Sequence, residues 1–292
     1  MSHISDEEMS RRAEESVLQR IAATDLALPA MPLVATKCLE ILSRSDFSLG
    51  ALATLIETDP LVAASVVRVA NSAANATLEP AKSVLQAITR IGSDELRSFV
   101  FEISARPVFE SHDRTISALG RALWAHSVAV ALLARAIVRR TKGKHPEAAY
   151  LAGLLHDIGK PVMATMLLEA ERRLLNVRTR NWLFPATWLG LIARTHRKVG
   201  LSLSKSWHLP VLVVQTVAVA DSYDSTVPAS PANAVCLANA LAKAAGLYAG
   251  DVDKAAVEAL ITTGQKLFAL SDVDIEGLTK ALKERVNERL GS

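Results

Sequence analysis

Leu154-Leu155-His156-Asp157-Ile158-Gly159-Lys160-Pro161 is the stretch on which the reading of this sequence turns. An apolar helical run, opened by Pro146, leads into a histidine and a carboxylate side by side, and Gly159 and Pro161 then break the helix. Beneath His156 on the same face lie Ala149, Ala152 and Gly153, small residues that let another helix approach closely. An imidazole and a carboxylate at one helix end suit a single divalent cation, neutral nitrogen and anionic oxygen being ordinary ligands. The plainer alternative is a helix C-terminus in which Asp157 only orients His156.

Upstream, residues 119–140 read as one long helix. At 100° per residue Leu119, His126, Val130, Leu133 and Ile137 share a face and Arg135 lies opposite. His126 is therefore predicted to point inward, where its ring needs a carbonyl, a carboxylate or a metal as partner. Residues 1–28 read as a helix ended by Pro29 and Pro32, and residues 33–43 as a second. Asp59-Pro60 supplies an N-cap carboxylate and a first-position proline for a helix that ends at Asn71-Ser72. Ser83 opens a short helix closed by Gly92. The pattern breaks between about residues 105 and 115, and residues 272–290 read as a final amphipathic helix.

Composition agrees with helices. Half of the 292 residues are apolar and only 4% are aromatic, with Ala, Leu and Val predominating, which favours close-packed helices over a β-sandwich. The 33 basic and 30 acidic residues give a formal charge of +3 without a long block of either sign, which does not point to nucleic acid or acidic lipid. The basic stretch from Arg172 and Arg173 to Arg178 and Arg180 is expected as solvated surface. Cys38 and Cys236 sit in apolar patterns without a CxxC or Cys/His cluster, as small hydrophobes in a reduced, cytoplasmic setting. The polar N-terminus is not a signal peptide, and apolar runs such as residues 211–214 are too short to span a membrane. The sequence holds no Gly-rich phosphate loop and no GxSxG elbow. His3, His112, His145 and His208 receive no role.

His126, thirty residues before His156, together with the string through Lys160 resembles the histidine and HD pair of HD-domain metal-dependent phosphohydrolases. The N-terminal half narrows the likeness. Leu28-Pro29 with Pro32, Asp59-Pro60, Arg68-Val69-Ala70-Asn71-Ser72 and Ala87-Ile88-Thr89-Arg90-Ile91-Gly92 resemble signatures of the HDOD subfamily. Trp124-Ala125-His126-Ser127 and the segment from Gly200 through Trp207-His208-Leu209-Pro210 extend it over roughly residues 15–245.

The resemblance implies an all-α fold, with an N-terminal helical bundle at residues 1–110 packed on an HD-like multi-helix core at residues 111–292. It implies His126, His156 and Asp157 as a metal-binding remnant for one divalent ion (Fe, Mn, Zn or Mg). Lys160 answers to a phosphate contact in catalytic relatives and equally to a cation at a helix end. Active relatives complete the site with a later aspartate, and Asn239 stands there, where an amide oxygen holds a hard cation less strongly. Of the further histidines that serve a second metal, Thr195-His196-Arg197 retains one, itself expected at the surface or at a helix start. The later pair is replaced by Val219-Ala220-Asp221-Ser222-Tyr223-Asp224, in which Asp221 or Asp224 serves as a metal ligand or a turn cap. The implied function is a non-catalytic bacterial regulator that contacts signalling proteins, with no membrane or nucleic-acid partner. The alternative is a one-metal phosphohydrolase acting on a nucleotide or cyclic dinucleotide.

Overall fold

The computed structural model describes residues 11–12, 15–16, 18–20, 23, 29–42, 44, 46–72, 75, 79–175, 185–219, 222–248, 250–280 and 282–290. Most of the helix expected over residues 1–28 lies outside them, as do Arg178, Arg180 and Asp221. Among the described residues the regular structure is helical, with no strand. The chain forms two compact units, Ala30–Pro107 with Ala281–Ser292, and Val108–Lys280 with Met1–Pro29.

The first unit contains α1 (Leu33–Leu42), α2 (Leu49–Glu57), α3 (Pro60–Ala70), α4 (Val84–Ile91) and α5 (Ser93–Ala105). The start signals act as their chemistry dictates. The Asp59 carboxylate accepts from the Leu61 and Val62 amides at 3.0 and 3.2 Å, with Pro60 in the first turn, and Ser83 accepts from the Gln86 amide. Cys38, Leu52, Ile56, Val66, Ile88 and Leu96 form the buried core, each large aliphatic contributing about 1.5–3 kcal/mol on burial. Cys38 behaves as a hydrophobe, burial pushing its thiol up to about 11.

Asn71 and Arg90, both within signature strings, have structural work here. Asn71 exchanges hydrogen bonds with Ala81, donating to its carbonyl at 3.0 Å and accepting from its amide at 2.7 Å. The Arg90 guanidinium donates to Asn71 Oδ1 and to the Glu79 carbonyl. Together they pin the connection between α3 and α4.

The second unit contains α6 (Arg114–Arg140), α7 (Pro146–Leu155), α8 (Gly159–Leu175), α9 (Pro185–Ser206), α10 (Val211–Val219), α11 (Pro231–Ala244), α12 (Lys254–Phe268) and α13 (Asp272–Thr279). Helix α6 begins five residues earlier than the sequence pattern indicated, because Asp113 Oδ1 caps the Ile116 amide at 3.0 Å. It is the central helix, packed on α7 and α11. Arg135, expected on an outer face, is accordingly only 8% exposed. Its guanidinium stacks 4.5 Å from the Tyr150 ring centre and lies 3.7 Å from Glu147. Residues 116–140 are long and apolar enough to cross a membrane by length and composition, unlike the short runs the sequence reading picked out, but 61% of the apolar window is buried within the protein.

The helix expected over residues 272–290 is two helices. α13 ends at Thr279, and α14 (Leu282–Leu290) packs with the first unit, although the sequence reading grouped it with the second half. Leu282 and Val286 are buried, and the Arg289 guanidinium lies 3.5 Å from Glu95 and 3.1 Å from Glu102, over the Phe99 ring. Helical periodicity is blind to such a break, since both pieces keep an apolar stripe.

Candidate metal centre

Two helices and one turn bring the polar groups together in the second unit. His126 comes from the middle of α6, His156 and Asp157 from the turn that closes α7, and His196 from the middle of α9. Close helix approach makes this possible. A Cβ on Gly153 would meet the backbone of Ala131 at 3.0 Å, so α7 lies directly on α6 and carries His156 toward His126. The two rings are 5.3 Å apart, centre to centre.

All four groups are buried, His126 at 0%, His156 at 1%, Asp157 at 4% and His196 at 8% exposure. Each imidazole turns Nδ1 to a backbone carbonyl: His126 to Leu247 at 2.6 Å, His156 to Gly153 at 2.7 Å, and His196 to Ile192 at 2.9 Å. A carbonyl only accepts, so Nδ1 carries the proton and Nε2 of a neutral ring is a bare lone pair. These Nε2 atoms converge on one carboxylate. His156 and His126 lie 3.3 and 3.8 Å from Asp157 Oδ2, and His196 lies 3.3 Å from Oδ1. The Lys160 ammonium contacts Oδ2 at 2.5 Å.

His126 Nε2 and His156 Nε2 are buried and make no hydrogen bond. Lone pairs facing a carboxylate oxygen are both acceptors, an arrangement that calls for a positive charge between them. The ligand atoms of His126, His156 and Asp157 lie within 4.8 Å of one another, as one ion requires. The donor set therefore fits a divalent metal, and its imidazole-rich chemistry suits zinc, iron or manganese better than magnesium.

Burial shapes the charges. It pushes His126 down to about 3, with neighbouring His156 adding to the effect, so the ring is neutral near pH 7. Burial alone would raise the Asp157 carboxyl, but the positive charge of the His156 ring when protonated and that of the Lys160 ammonium outweigh it and hold the group well below the usual carboxylate range. A pH dependence follows for the metal-free protein. Below the ordinary histidine value of 6.5 the unfolded chain takes up a proton at His126 that the folded chain refuses until about 3, so stability falls as pH falls. Denaturation of EDTA-dialysed protein is expected to show a loss of about 2 kcal/mol between pH 7 and pH 5. Asp157 adds its share only below its unfolded value of 3.8. The loss should shrink in His126→Phe; an equal loss in that variant would assign the proton uptake elsewhere.

His196 corrects the sequence reading, which favoured a surface or helix-start residue. It is inside because α9 buries Trp188, Ile192, Thr195, Val199 and Leu203 along one side, and that periodicity carries His196 with it. Asp224 is an exposed turn residue whose carboxylate accepts from the Thr226 amide and hydroxyl. Asn239 is on α11 with its side-chain oxygen buried and without a hydrogen bond. One turn later Lys243 lies over the Tyr248 ring at 4.9 Å. That ring stands edge-on to His126 at 5.2 Å and receives Lys160 at 5.4 Å. Tyr248 had no recognisable signal in the sequence, since it reaches His126 through the turn after α11.

The fold and centre define the class: an all-helical protein with a buried histidine–aspartate cluster of the HD kind. The HDOD domain family profile matches residues 28–223, and the chain belongs to that family. Its fold is shared with a Shewanella amazonensis SB2B protein named as a candidate metal-dependent phosphohydrolase, 23% identical with a TM-score of 0.71, covering 94% of this chain and 99% of that one. It is shared also with an HDOD domain protein with unknown function from Geobacter sulfurreducens, 22% identical with a TM-score of 0.63, covering 98% of each chain. An uncharacterized protein of Treponema pallidum (strain Nichols) is 23% identical over 192 residues, 64% of this chain and 37% of its own, so the chain spans little more than a third of that relative's length.

Proposed function

We propose that this chain is a regulatory module that holds one divalent ion as part of its core and acts on signalling proteins through its surface, without turning over a substrate. The observation that carries this reading is closure of the centre. A catalytic metal needs a coordination position that water and substrate can reach, whereas a structural metal is shut away from solvent. Here His126, His156 and Asp157 are each no more than 4% exposed, and Lys160, Tyr248 and His196 surround them. The bound ion would supply positive charge between lone pairs and fasten α6 to the end of α7. His126 and His156 offer Nε2, and Asp157 offers Oδ2.

Family membership supports a role in bacterial regulation in the cytoplasm, and the near-balanced charge favours protein partners over nucleic acid. The decisive experiment compares the purified protein with His156→Ala in metal content, melting temperature and hydrolysis of a chromogenic phosphodiester and of cyclic dinucleotides. The expected result is one equivalent of zinc, iron or manganese, lost in the variant together with several degrees of melting temperature, and no metal-dependent turnover by either protein. Turnover that disappears in His156→Ala at an unchanged melting temperature would overturn the regulatory reading and establish a one-metal phosphohydrolase.

A further inference from the structure

Lys160 Nζ contacts Asp157 Oδ2 at 2.5 Å, and this is the oxygen to which His126 Nε2 and His156 Nε2 are turned. We propose that the Lys160 ammonium and a divalent ion are alternative occupants of that oxygen, so that Lys160 is a built-in competitor that sets the metal affinity of the centre. The inference rests on the metal-holding reading above and concerns how that site is regulated.

Geometry and charge both favour the exchange. A transition-metal ion ligated by a carboxylate oxygen lies at about 2 Å from it. An ammonium kept on the same oxygen would sit within roughly 4 Å of the dication, in surroundings that screen charge poorly. The other carboxylate oxygen, Oδ1, is turned to His196 Nε2 at 3.3 Å. Lys160 does have an exit. Its side chain is 15% exposed against 5% for Asp157, it springs from the first turn of α8, and the Tyr248 ring 5.4 Å from Nζ offers a π face beside the outward path. In the metal-free protein the ammonium neutralises Asp157. When the ion enters, it takes over that role and the ammonium swings toward Tyr248 and solvent.

The test measures zinc or manganese affinity by calorimetry for the full chain, Lys160→Met, Lys160→Arg and His156→Ala, with melting temperatures in the presence of EDTA and of metal. Methionine keeps the stem and removes the charge, and arginine keeps a charge. Lys160→Met is expected to bind the ion about 10-fold more tightly or better than wild type, with Lys160→Arg within about 3-fold. Metal should raise the melting temperature of Lys160→Met by more than that of wild type, from a lower metal-free starting point. A lysine with only a structural role would leave Lys160→Met less stable and no tighter in metal binding, and equal or weaker affinity overturns the competition. If Lys160→Met folds only when metal is supplied, the competition is supported; if it stays unfolded with metal present, the competition is overturned. Binding by none of these proteins overturns the metal-holding reading along with the competition.

Discussion

Asp157→Asn is expected to remove about 3 kcal/mol of folding stability from the metal-free protein, toward the lower end of the roughly 3–5 kcal/mol typical when one partner of a buried ion pair is deleted. The side chain is 5% exposed, contacts the Lys160 ammonium at 2.5 Å and has three imidazole nitrogens within 3.8 Å. Asparagine preserves the shape, so packing contributes little to the loss. What disappears is the negative charge that balances an ammonium in a region of low polarizability, and an amide cannot replace it. Lys160 can turn outward, being 15% exposed, and this relief places the value toward the lower end. Urea denaturation at pH 7 in EDTA gives the number directly, with an unchanged slope confirming that the folded state remains compact. Elemental analysis of the same variant should find the ion absent. A loss below about 1 kcal/mol would show that the pair is solvated rather than buried.

Gly159→Ala is the second large effect, and it acts without touching a charged group. The new Cβ would lie 1.8 Å from the His196 carbonyl oxygen, 2.7 Å from the carbonyl carbon and 2.8 Å from the Gly200 amide nitrogen. Every one of these neighbours is backbone of α9, so no rotamer change relieves the clash and the two helices must separate. Overpacking of this kind costs about 1–3 kcal/mol or somewhat more, and the absence of any side chain to yield puts the expected cost near 3 kcal/mol. Separation also draws His196 away from Asp157 Oδ1. Gly190→Ala provides the control, on α9: its Cβ meets only the flexible end of Arg194 at 3.4 Å, and alanine in an exposed helix stabilises by roughly 0.5–1 kcal/mol. Thermal melts of the two variants should move in opposite directions. Similar shifts in both would rule out close contact between α8 and α9 as the cause.

The family's signature residues divide by physical role. Asn71 and Arg90 tie a connection together, Gly159 permits a helix crossing, and His126, His156 and Asp157 form the centre. Only the last group is chemistry. The strings were legible because they encode local events, such as a capping carboxylate before Pro60, a glycine where two backbones touch, and a histidine on the apolar stripe of α6. His196 was misjudged because its immediate neighbours Thr195 and Arg197 are polar, although the wider stripe of α9 is buried. Arg135 was misjudged for the related reason that a helix enclosed by α7 and α11 has little outer face, and Tyr150 and Glu147 give its charge a place inside.

By itself the sequence determined that the chain is helical and where several of its helices begin and end, and its family likeness grouped His126, His156 and Asp157 in one centre. Those features follow from composition, periodicity and capping, which act over a few residues, and from short strings that carry a family likeness. The tertiary structure alone decided that His196 joins the centre, that the Tyr248 ring stands edge-on to His126, and that α14 returns to the first unit. Each of these depends on groups far apart in the chain meeting within a few ångströms, and helical periodicity fixes which face a side chain occupies without fixing which face of another helix it meets.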